Sequence, residues 1–170
     1  ALYMKDYDAA IKYATLLIES GEFQLASAST LATTMSDYLS MTNKQISLYE
    51  YMWRYNFSYE TIWKVGFTTT AYGGALGSVF FNWDYSSYKP DYVPAQWALD
   101  LYTSGDGRYN AYFANLQTGY AHGLTWPLLV KYYGNESLIA NMIYHVNMPK
   151  PLRLAEQYLI RAEAYCNLSN

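Results

Sequence analysis

The chain has 170 residues, of which 11 are Lys or Arg and 14 Asp or Glu, for a formal net charge of −3. Its length suits one domain with a real core, and the weakly acidic balance argues against nucleic acid, whose phosphates need a basic face. Charged residues make up only 15% while aromatics reach 19%, 21 of them Tyr; no polybasic run addresses an anionic membrane surface, and no stretch attains the roughly 18 apolar residues of a membrane-spanning helix.

Residues 2 to 20 are predicted to form a helix, with Tyr3, Tyr7, Ala10, Ala14, Leu17 and Ile18 on one face and Gly21 as terminator. Residues 26 to 45, rich in Ser, Thr, Ala and Met, read mostly as loop, and 47 to 56 is aromatic and ambiguous. From Glu60 the pattern alternates, so Thr61, Trp63, Val65 and Phe67 mark the covered face of a short strand. Residues 71 to 94 form a long loop holding Gly73, Gly74 and Gly77 and then an aromatic run to Pro94. Loops of that length inside a domain are functional or disordered, and the ring content argues against disorder.

Pro94 opens a predicted helix near 95 to 102, with Trp97, Ala98 and Leu101 on its buried stripe. Residues 104 to 108 form a tight turn, and 109 to 116 a short helical or extended piece. Loop follows from Gln117 to Pro127, then a short strand over 128 to 133 closed by Gly134. Residues 136 to 148 carry no decisive pattern. The chain finishes on a proline-led amphipathic helix, 149 to 168, with Leu152, Ala155, Leu159, Ala162 and Tyr165/Cys166 at helical spacing. Cys166 is the single cysteine, so no internal disulfide is possible, and its place on the apolar side predicts a small buried hydrophobe.

The last helix looks like the first of a tetratricopeptide-type pair, and Tyr7 to Ala14 like the second of another. Four segments in order resemble the SusD/RagB family of outer-membrane nutrient-binding lipoproteins of Bacteroidetes. They are Tyr3 to Leu25; Glu60 to Val65; Pro94 to Arg108, with Leu99-Asp-Leu-Tyr102 and Asp106-Gly-Arg108; and Lys131 to Gly134 followed by Leu152 to Ala164. The resemblance implies a mainly α fold: tetratricopeptide-like α-α superhelix elements with long irregular loops and a few short strands. It implies glycan binding without catalysis, in polysaccharide utilization and nutrient uptake. It further implies a SusC-type TonB-dependent transporter as partner and a lipid anchor outside this segment, on the extracellular face of the outer membrane. Family members run to several hundred residues, so the chain is expected to be an internal fragment of one larger domain. Within it, 1–25 and 149–170 would be the tetratricopeptide-type helices and 46–135 an inserted aromatic-rich ligand region.

The ligand candidates lie in that insert. Trp83, Tyr85, Tyr88 and Tyr92 fall within ten positions, interleaved with Asn82 and Asp84. A pyranose offers C–H groups on its face and hydroxyls at its edge, so rings cover the one while amide and carboxylate bond the other. The same rings could instead anchor the loop to the helices. Asp106-Gly-Arg108 reads as a structural turn, and Asp100 with Asp106 as a weak candidate for a glycosidase acid pair. His122 and His145 have no Cys, Asp or Glu at ligand spacing, so neither a metal nor a cofactor is expected. Two further functions stand beside glycan capture: a tetratricopeptide-type scaffold binding proteins in a helical groove, and a hydrolase or lyase on a helical toroid. The two end helices lack sequential partners, so their apolar faces should be exposed, meet each other, or meet another copy.

Overall fold

A computed structural model describes residues 1–37, 42–55, 58–83, 86–120 and 123–169. The chain divides into two compact units. One is discontinuous in sequence, comprising 1–26, 57–65 and 149–170; the other comprises 27–56 and 66–148.

The discontinuous unit is built on two helices, α1 (Tyr7–Glu19) and α7 (Leu154–Leu168), which pack against each other. The predicted first helix starts later than expected. Leu2–Met4 is a separate 3-10 turn, Lys5 takes a left-handed φ of 58°, and Asp6 caps α1 by accepting from the Ala9 N–H at 3.1 Å. Tyr3 is fully exposed and marks no buried face. The helices meet through small residues: Ala10 and Ala14 on α1 and Ala164 on α7 are buried, as is Leu154. Small side chains let helix axes approach closely. Two expectations for the last helix fail: Leu159 and Cys166 are exposed, because the buried stripe runs through Leu154 and Ala164. Of the fates expected for the end helices, mutual contact is observed, and so is exposure, at Tyr13, Leu16 and Leu159.

Between them in sequence, β3 (Thr61–Trp63) pairs antiparallel with β6 (Leu152–Arg153), with Trp63 opposite Leu152. The predicted strand is thus present but short, and its expected covered face holds only in part: Trp63 and Val65 are exposed, while Thr61 and Phe67 are half-buried.

The second unit holds the remaining helices α2 (Leu48–Arg54), α3 (Ser78–Phe81), α4 (Gln96–Leu99), α5 (Gly107–Tyr112) and α6 (Glu136–Ile139), with two hairpins. Residues expected to be loop form the first hairpin, β1 (Leu31–Asp37) with β2 (Thr42–Ser47); Thr-rich sequence suits extended backbone as well as loop. Ser47 then caps α2 by accepting from the Glu50 N–H at 3.1 Å. In the second hairpin β4 (Phe113–Gln117) pairs with β5 (Thr125–Leu129), from Phe113↔Leu129 to Gln117↔Thr125. This corrects the predicted loop over 117–127 and moves the strand expected at 128–133 towards the N-terminus. Pro127, which suggests a break, is accommodated in a two-stranded ladder whose outer side needs no N–H donor.

The core of this unit gathers Leu116, Leu128, Val130, Tyr133 and Ile139, with Phe80, Tyr88, Ala114 and Trp126 packed around it. A second cluster joins Leu138, Val146 and Met148, flanked by Phe67 and Ile143. Among the described residues no helix is long and apolar enough to cross a membrane.

Candidate functional site

The aromatic insert is braced by backbone pairing. The short helix α3 ends at Asn82, whose N–H bonds Ser78 O at 3.2 Å and whose carbonyl accepts the Lys89 N–H at 2.7 Å. Trp83 bridges Tyr88 antiparallel, and Tyr88 bridges Thr118 in parallel fashion. The Gly119 N–H donates to Tyr88 O at 2.8 Å. A Cβ on Gly119 would lie 2.5 Å from Ser87 Oγ and 3.0 Å from Lys89 Cε, so any larger residue there would have to displace those two side chains.

This framework brings two of the expected site residues together. The Trp83 and Tyr88 rings lie 4.9 Å apart, centre to centre, at 45°. Trp83 is 42% exposed. Tyr88 is half-buried and also packs on the core cluster, so it anchors the loop while it supports the indole. Asn82 is half-buried. Tyr92 stands outside this pair, 69% exposed, after backbone bonds from Asp91 N and Tyr92 N to Val79 O. Asp84 and Tyr85 lie outside the described residues, as does His122.

Further along, Trp97 is 71% and Leu101 72% exposed, with Leu99 buried. The expected stripe is therefore inverted. Helix α4 has only four residues, too few for periodicity to decide which side is covered. Trp97 was placed on the covered side for that reason, although it stands beside the polar Gln96 and near Asp100 in a short helix.

A different aromatic cluster serves to hold the unit together. The Lys131 ammonium lies 4.1 Å from the Trp53 ring centre, 4.7 Å from Tyr112 and 5.4 Å from Tyr132. Such cation–π contacts favour a partly desolvated cation. The Tyr49 and Tyr112 hydroxyls hydrogen-bond each other, so part of the Tyr excess is spent inside, with polar ends satisfied. The Tyr102, Tyr109 and Phe113 rings pack similarly, at 5.4–5.9 Å.

The carboxylates are otherwise engaged. Asp106 caps α5 through the Arg108 N–H and forks onto the Arg108 side chain, the Nη2–Oδ2 distance being 2.7 Å. That guanidinium holds the Asp106 carboxyl below its ordinary pKa, the opposite of what a general acid needs. Asp100 accepts from Gln96 Nε2 at 2.7 Å. His145 is half-buried with a left-handed φ of 64°, and burial pushes its pKa down. Among the described residues no three His, Cys, Asp or Glu side chains gather as a metal set.

No protein-family model matches the chain, and no curated protein does. Solved structures do. The chain aligns over 96% of its length with surface glycan-binding protein A from Bacteroides uniformis, at a TM-score of 0.60 and 18% identity, spanning 34% of that protein. It aligns over 99% with surface glycan-binding protein A from Bacteroides thetaiotaomicron, at 0.59 and 19%, spanning 41%. The chain thus covers about a third to two fifths of these neighbours. At such identities the likeness is one of fold, and at that level the resemblance to SusD-like proteins drawn from the four sequence segments is borne out.

Proposed function

We propose that the chain is the glycan-capturing part of a SusD-like cell-surface protein, working by binding and not by chemistry. The observation that carries this is the braced Trp83–Tyr88 pair, an indole 42% exposed above a phenol rooted in the core. A ring held on a rigid support loses little freedom when a sugar face settles on it. Tyr92 adds a second exposed ring, and Asn82, Asp84 and Tyr85 complete the proposed site. The fold shared with two surface glycan-binding proteins supports the same ligand class. In this scheme 46–135 is the ligand insert within one larger domain, 1–25 and 149–170 belong to its tetratricopeptide-like frame, and captured glycan passes to a SusC-type TonB-dependent transporter. The whole protein would be tethered by lipid to the outside of the outer membrane. Affinity electrophoresis through gels containing polysaccharides tests the capture step. Retardation by a glycan, weakened in Trp83→Ala, is expected; unaltered mobility in every gel would refute it.

A further inference from the structure

The run from Asp91 to Leu101 has an organisation that the Trp83–Tyr88 pair does not explain. Tyr92, Val93, Trp97 and Leu101 are each more than half exposed within it. Single exposed hydrophobes are ordinary, whereas four within one short stretch of chain point to a contact surface. The run is also held at three points. Asp91 and Tyr92 donate their N–H groups to Val79 O at 2.9 and 3.2 Å. The Trp126 indole N–H donates to Pro94 O at 2.9 Å. Leu99 is buried. The rings are therefore presented from fixed backbone.

Polar residues alternate with them along the chain. Asp91, Gln96 and Asp100 are exposed, and Gln96 Nε2 bonds Asp100 Oδ1 at 2.7 Å. A carboxylate accepts several further hydrogen bonds beyond that one. The apolar face of a protein partner would trap Asp91 and Asp100 in a dry contact, which is costly. A sugar brings hydroxyl donors to the same places. An anionic sugar would meet two like charges. Arg108, the first cation after this run in sequence, is forked onto Asp106.

We infer that Asp91–Leu101 extends the sugar site from Tyr92 onward into a longer platform, on which Trp97 as well as Tyr92 stacks on uncharged pyranose rings while Asp91, Gln96 and Asp100 bond their hydroxyls. This rests on the glycan-capture function and narrows it to neutral glycans. The test is affinity electrophoresis of wild type, Trp97→Ala and Trp83→Ala in gels of neutral polysaccharides (galactomannan, laminarin, dextran) and anionic ones (polygalacturonate, dextran sulfate), with melting temperatures measured alongside. Trp97→Ala should weaken binding to the retarding neutral glycan about two- to tenfold, the range of one aromatic contact, with its melting temperature within about 2 °C of wild type, since surface changes move stability little. Full affinity in Trp97→Ala with loss in Trp83→Ala would overturn the platform and leave glycan capture standing. Binding to anionic polysaccharides alone would overturn the neutral assignment. No retardation in any gel would remove both.

Discussion

The Glu60 carboxylate lies 3.2 Å from the Arg153 guanidinium and also accepts the Ala26 N–H at 2.7 Å. Glu60 is almost wholly buried and Arg153 partly so. One side chain thereby ties together all three stretches of the discontinuous unit, and the Glu60 carbonyl adds a bond from Leu154 N at 3.0 Å, at the start of α7. Removing one partner of a buried pair typically costs about 3–5 kcal/mol. Glu60→Ala is accordingly expected to destabilise by about 2–4 kcal/mol, since water still reaches Arg153. Urea unfolding of the two proteins measures this; a change below about 0.5 kcal/mol would remove Glu60 from that role.

Trp83 and Tyr88 should separate binding from stability. Tyr88 packs on the core and Trp83 is 42% exposed. Tyr88→Ala is expected to cost about 1–3 kcal/mol of stability, below the range for truncating a fully buried ring because Tyr88 is half-buried, besides weakening glycan binding. Trp83→Ala should weaken binding and cost under about 1 kcal/mol. Paired titrations and thermal melts distinguish the two; equal stability losses would contradict this division of labour.

His145 supplies a pH signature. Burial lowers its pKa in the folded state, while the unfolded chain titrates near the ordinary value of about 6.5. Its favourable contribution is therefore present above pH 6.5 and is lost as pH falls from there through the lowered folded value. The denaturation midpoint of the wild type should drop between pH 7.5 and 5, and less so in His145→Asn. Asn also tolerates the left-handed backbone at this position. Parallel slopes for the two proteins would exclude His145 as the source.

Lys150 gives the opposite test, at alkaline pH. Burial, then the neighbouring Lys64 and Arg153 charges, push its pKa from 10.5 down to about 8. Below pH 8 the ammonium is charged in both states and the fold bears the cost of holding it; between 8 and 10.5 that cost disappears. Lys150→Met is expected to stabilise by about 1–3 kcal/mol at pH 7, with the gain shrinking as pH rises above 8. Chemical denaturation at pH 7 and pH 10 checks both parts.

The end helices could be located from sequence because thirteen or more residues let an apolar stripe repeat several times. Which residues that stripe buried was less legible: Ala164 lies inside while Leu159 and Cys166 do not, since contact through alanines depends on a neighbour that no local pattern names. Trp97 was assigned to the wrong side because α4 is a single turn. The hairpin of β4 and β5 was half-hidden by Pro127, whose usual meaning as a breaker does not hold in a two-stranded ladder. The aromatic insert was conspicuous in composition, yet only coordinates separate Tyr88, rooted in the core, from Tyr92, which is not.

The pairing of α1 with α7 also bears on how the chain reaches its native state. Helix α1 leaves the ribosome before its partner, which does not exist until everything from Ser20 to Arg153 has been synthesised. Contacts that close so long a segment carry a large entropic penalty before any reward arrives. Residues 27–56 and 66–148 can meanwhile acquire their own clusters of apolar side chains. The helix pair should therefore be the late step in refolding, with α1 left without its packing partner until α7 has formed.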